Sequence, residues 1–99
     1  RRHKKNIRDI TDTSSLDKLR PVIFNSRLEK DNPDKEYYGF IAEEVEQVDT
    51  ILASYKYDEL YKKETLKGVN PLQMIALLVK RVQELQEKYD EIIATLQKG

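Results

Sequence analysis

The last thirty residues constrain this chain more than any other part of it. From Ile75 onward, apolar side chains recur at alternating spacings of three and four: Ile75, Leu78, Val82, Leu85, Tyr89, Ile92 and Leu96. That spacing puts all seven on one line of an α-helix, and a line with a repeat of about 3.5 residues is the seam of a coiled coil. Asn70 is a good capping residue and Pro71 suits the first helical position, so a helix roughly 40 Å long is predicted from there to the end. After Val82 the apolar line narrows to the seam, with Ile93 as an exception, and Gln83, Glu84, Gln86, Glu87, Lys88, Asp90 and Glu91 surround it. A narrow seam is shared between copies of a helix, whereas a broad stripe is buried against the helix's own domain. In the first half Leu72, Met74, Leu77 and Val79 broaden the stripe, so the helix is expected to touch the rest of its chain there. Ile, Val, Tyr and Leu at one seam position, with Leu, Leu and Ile at the other, do not select two strands and are compatible with three.

Composition fits a shared seam. The chain has 99 residues, enough for one small domain, with 38% hydrophobic and 36% charged residues. That is wet for a self-sufficient monomer, yet too rich in Ile, Leu, Val and Tyr for a disordered chain. Eighteen basic residues cancel eighteen acidic ones, so the whole chain offers no overall field to nucleic acid or membrane. The longest apolar run, Met74 to Val79, is too short to span a bilayer. With no cysteine and a single histidine, disulfides, thiolate chemistry and multi-histidine metal sites within one chain are excluded. There is no glycine-rich phosphate loop, and no cofactor is expected. The chain begins without Met and shows nothing like a signal peptide, so a fragment or processing product is expected.

Ahead of the helix the pattern is mixed. Thr11 to Arg20 reads as a short helix capped by Thr13 or Ser14, with Leu16 and Leu19 on one face and Pro21 ending it. Val22-Ile23-Phe24 and Tyr37-Tyr38-Gly39-Phe40-Ile41 read as two strands of a hairpin around a polar loop from Glu29 to Glu36. Ala42 to Val48 is helical, with Ile41, Val45 and Val48 on one side and Glu43, Glu44 and Glu46 facing away. Phe24, Phe40, Ile41 and Val45 are expected to share one core, with Gly39 where a side chain would clash or strain the backbone. Ile51 to Tyr55 and Thr65 to Val69 are weaker strand candidates, and the Tyr55, Tyr57 and Tyr61 stretch is left open between helix and loop. The fold class is therefore α+β: a mixed head of short strands and helices over residues 1–69, and a coiled-coil helix over residues 70–99, expected to bring copies of the chain together.

No active site is visible in the residues themselves. Arg1, Arg2, His3, Lys4, Lys5 and Arg8 crowd the start. Composition alone favours a solvated terminus. A nucleic-acid arm would want stacking aromatics, which are missing nearby. Cations packed together and shielded from water would favour a neutral lysine, which is a general base, but spacing alone does not show this. His3 reads as a surface residue and the three glutamates as a solvated helix face. Ser14, Ser15, Ser26 and Ser54 lack a neighbouring base in sequence and fit turns or caps.

Four segments in order carry a resemblance: Arg2-His3-Lys4-Lys5-Asn6-Ile7, Leu19-Arg20-Pro21-Val22-Ile23-Phe24-Asn25, Tyr38-Gly39-Phe40-Ile41-Ala42-Glu43-Glu44-Val45, and Gly68-Val69-Asn70 leading into Leu77-Leu78-Val79. The series resembles the C-terminal intramolecular chaperone domain of bacteriophage tail spikes, tail fibres and neck appendages, a self-cleaving serine peptidase family. A related domain occurs in membrane-bound transcription factors of the myelin regulatory factor type. Gly39 to Val45 is the most specific piece.

The resemblance implies a homotrimer that assists folding of the fibre or spike upstream in the same polypeptide and then cuts itself away. It places that work in the host cytoplasm during virion assembly, with the domain absent from the mature fibre. It implies cleavage immediately before a serine, with a lysine five residues later as base. Setting Lys4-Lys5-Asn6-Ile7 on the family's Lys-Glu-Asn-Ile makes Lys4 that lysine and puts the Ser-Asp pair just before Arg1. His3 replaces a usually leucine-like residue and Lys5 a common Glu, both adding positive charge. By resemblance the enzyme is a single-turnover serine endopeptidase, and these 99 residues without the serine are expected to be inactive. Neither nucleic acid nor membrane is an expected partner. The residues alone also fit a plain homo-oligomerisation domain, or the dimerisation part of a nucleic-acid-binding protein with Arg1 to Arg8 as its arm.

Overall fold

The long helix is the organising element of the computed structural model, which describes residues 3–27 and 32–98. Arg1 and Arg2 of the basic cluster, Glu29 to Asp31 of the expected loop, and Gly99 lie outside the described residues. In order come β1 (Val22–Asn25), β2 (Glu36–Gly39), α1 (Ala42–Val48), β3 (Ala53–Asp58), β4 (Lys63–Val69) and α2 (Pro71–Lys98). The fold is α+β, as expected. Two separate antiparallel hairpins, β1–β2 and β3–β4, flank α1, and the long helix closes the chain.

α2 starts where its sequence says it should. The Asn70 side chain accepts a hydrogen bond from the Gln73 amide at 3.2 Å, and Pro71 fills the first helical position. The Asn70 amide in turn donates to the Leu52 carbonyl at 2.8 Å, which fixes the helix to the head. Twenty-eight residues make α2 about 42 Å long. The radius of gyration is 18.7 Å, against about 13 Å for a compact chain of this length, because α2 projects beyond the head.

Three expectations for the head need correction. The helix foreseen over Thr11 to Arg20 shrinks to a 3-10 turn, Ser14–Lys18, whose capping position is Thr13 but whose Ser14 amide donates instead to the Asp12 carboxylate at 2.9 Å. A 3-10 turn suffices to bring Leu16 and Leu19 against the core, and Pro21 stops it from growing. The Tyr55 to Tyr61 stretch is the β3–β4 hairpin. Asp58 holds its turn by accepting the Leu60 amide at 2.9 Å, and Lys62 takes the left-handed conformation, φ 51°.

The core is the third correction. It comprises Val45 of α1, Leu52 of a 3-10 turn at Thr50–Leu52, and Met74 and Leu77 of α2. Leu16, Leu19, Phe40 and Val69 pack around it. Val45 and Phe40 are where they were expected; Phe24 and Ile41 are exposed. The hairpin turns Phe24 outward, where it stacks on Tyr37 at 5.6 Å between ring centres. Phe24 also covers Gly39: a Cβ there would sit 2.9 Å from the ring, so a side chain at 39 would have to push this exposed ring aside.

The acidic face of α1 is less solvent-facing than its pattern implied. Arg20 grips Glu44 with two hydrogen bonds of 3.1 and 2.7 Å, which holds the Glu44 carboxyl below its usual range. The Tyr55 hydroxyl donates to Glu46 at 2.9 Å, which raises the phenol's pKa and ties β3 to α1.

Candidate functional site

The exposed large apolar side chains concentrate on α2. Among the described residues five apolar side chains are buried, while twenty large ones are exposed. The seven seam residues, Ile75, Leu78, Val82, Leu85, Tyr89, Ile92 and Leu96, lie between 45% and 70% exposed.

The seam is open because the head uses a different line of α2. Met74 and Leu77 are buried against the head, and Arg81 and Glu84 continue their line with contacts to Thr13. Each of these four immediately precedes a seam residue in sequence, so their line runs about 100° around the helix from the seam. One stripe of α2 is spent on the chain itself and the adjacent stripe remains free. The broadening foreseen in the first half of the helix is thus real at Met74 and Leu77, whereas Leu72 and Val79 stay exposed.

Arg81 and Thr13 were not singled out by sequence reasoning. Arg81 donates from Nε to the Thr13 hydroxyl at 3.0 Å, from Nη2 to the Thr13 carbonyl at 2.8 Å, and from Nη1 to Asp17 at 2.9 Å. The Thr13 hydroxyl donates to Glu84 at 2.7 Å. Two charged residues continuing the buried line of Met74 and Leu77 were the available signal: charge at a core-facing position needs a partner.

The candidate base sits elsewhere. Lys4 lies in the segment of residues 3–12, every one of them exposed, and His3 and Lys5 beside it are exposed too. Asn6 adopts φ 56°, the left-handed conformation that asparagine tolerates better than most side chains, so the chain turns two residues after Lys4. Of the serines, Ser15 donates to Asp49 at 3.1 Å, a carboxylate that also accepts the Ile51 amide. Among the described residues no group of His, Cys, Asp and Glu could hold a metal ion, and no helix is long and apolar enough to cross a membrane.

Neither a curated protein nor a solved structure matched the chain. The peptidase family model described as chaperone of endosialidase matches residues 1–60. The match takes in Lys4 and the Gly39 to Val45 segment and stops before β4 and α2, so the fourth segment of the resemblance lies beyond it. Sixty of 99 residues, including the most specific stretch, are accounted for by one family. The chain belongs to the chaperone-of-endosialidase family.

Proposed function

We propose that this chaperone trimerises through α2, assists folding of a phage fibre or spike domain upstream in the same polypeptide, and is then released by autoproteolysis. The observation that carries the reading is the open seam of α2 beside a stripe already occupied by the head. Residues 1–69 act as the head that carries the cutting chemistry, and residues 70–99 gather the copies. Holding three chains together raises the effective concentration of the segments ahead of them, so folding of an intertwined fibre becomes intramolecular. Cutting afterwards removes the easy route back and leaves the fibre kinetically trapped. The work is placed in the host cytoplasm, during virion assembly, and requires no cofactor.

Lys4 is the proposed base and a serine just before Arg1 the nucleophile. A lysine accepts the serine proton only as the neutral amine, which burial or neighbouring cations favour. Lys4 is exposed in the single chain, so its burial has to come from neighbouring copies or from the chain ahead of it. Cleavage then waits for assembly, and a misassembled fibre stays uncut.

Intact-mass measurement on a precursor extended upstream tests this. The expected result is two products, the smaller beginning with the serine of a Ser-Asp pair adjoining Arg1. A precursor that assembles and stays whole would leave a plain oligomerisation domain.

A further inference from the structure

One residue of the seam helix, Arg81, ties down the chain that follows the Lys4 segment. Every residue from 3 to 12 is exposed, and the first firmly held point is Thr13, the buried polar residue among those described. Thr13 is held from α2: Arg81 reaches both its hydroxyl and its carbonyl, and Glu84 accepts from the hydroxyl. Arg81 adjoins Val82 and Glu84 adjoins Leu85, so the fastening is made one residue away from the seam. Just before it, Asp9 and Ile10 line a cleft with Ala76, Val79, Lys80 and Gln83. At 100° per residue those four lie on the back and opposite flank of α2, roughly 180° to 80° from the seam. Residues 9 and 10 therefore lie beside α2 on the flank away from the head's stripe, and the chain to Lys4 continues from there. In a closed ring of parallel copies, opposite flanks of adjacent helices face each other, so this segment meets the neighbour's head.

We propose that Arg81 is a positioning residue for self-cleavage: through Thr13 it holds the Lys4 segment against the seam's flank, where a neighbouring copy closes over it. This rests on the self-cleavage reading. All three guanidinium nitrogens are engaged by Thr13 and Asp17, a fork that a single ammonium cannot reproduce.

The test uses the precursor with its upstream sequence, comparing Arg81→Ala, Arg81→Lys, Thr13→Val and Thr13→Ser with the unmodified protein. Cleavage is read on a denaturing gel, mass by light scattering, and amide exchange both in residues 9–13 and in the core around Leu52. Arg81→Ala and Thr13→Val are expected to stay trimeric with unchanged core exchange. Their residues 9–13 should exchange faster, and cleavage should slow on the order of 10- to 100-fold, the usual cost of a displaced reacting group. Thr13→Ser keeps the hydroxyl and should cut normally; Arg81→Lys should fall between. Normal cutting by Arg81→Ala overturns the proposal. So does slowing accompanied by an equal rise in core exchange, which is a loss of stability rather than of position. An unmodified precursor that stays whole overturns the self-cleavage reading and this one together, and the control lane tells that case apart.

Discussion

Replacing Leu85 and Ile92 together by Asp is expected to turn the oligomer into single chains. Both residues stand on the open seam at just under 60% exposure, and both would be buried when helices join. Each substitution places one carboxylate from every chain in one layer of an apolar interface with no cation opposite it, at a cost of several kcal/mol per buried charge. The head should survive, because Met74 and Leu77 make its core contacts from the neighbouring stripe. In light scattering the mass should fall to that of one 11.7 kDa chain, and the melting temperature should cease to depend on concentration. Substituting Glu87, which lies off both stripes, should change neither. An unchanged mass for the double mutant would remove α2 from the interface.

Lys4→Arg in the extended precursor is the second large effect. Arginine keeps the charge at position 4, and Lys4 is exposed in the single chain, so fold and oligomer should be preserved. A guanidinium stays protonated at any useful pH and cannot take the serine proton, so cleavage should be lost. General-base catalysis alone is worth about 10²- to 10⁴-fold, enough to leave a single uncut band. Lys5→Arg should cut nearly normally, because the register set by Asn6-Ile7 gives only Lys4 the five-residue spacing to the expected serine. Cutting by Lys4→Arg at anything near the normal rate would exclude Lys4 as the base.

How much of this could be read in advance differs by element, for physical reasons. α2 was legible from end to end: a heptad line, an Asn-Pro start and a polar surround all point the same way. β1 and β2 were legible because β-branched and aromatic residues gather on either side of a polar loop. The β3–β4 hairpin was legible only in part, in the weaker strand candidates Ile51 to Tyr55 and Thr65 to Val69, and the stretch between them was not. Its Tyr55-Lys56-Tyr57 run is exposed throughout, so no buried face imposes a period of two, and its turn has no glycine to announce it. The core was misplaced at Phe24 because hydrophobicity says that a side chain can be buried, not which face of a hairpin the rest of the chain will cover. Leu52 went unnoticed as a core residue because it lies in a 3-10 turn, where neither period applies.

The site divides in the same way. The seam came from spacing and is found open on the surface. Lys4 came from resemblance alone, since nothing in a run of cations distinguishes one lysine from the next. Arg81 and Thr13 are 68 residues apart, and no local pattern links them; only the folded helix brings them together. What sequence could have supplied was the anomaly of charge at positions 81 and 84, on the line that Met74 and Leu77 bury.

Everything proposed for this chain depends on self-association through α2, and sedimentation equilibrium of the 99 residues tests that most directly. The predicted result is a mass three times the 11.7 kDa of one chain, falling toward the monomer only on dilution. A mass of one chain at every concentration up to the solubility limit would contradict it.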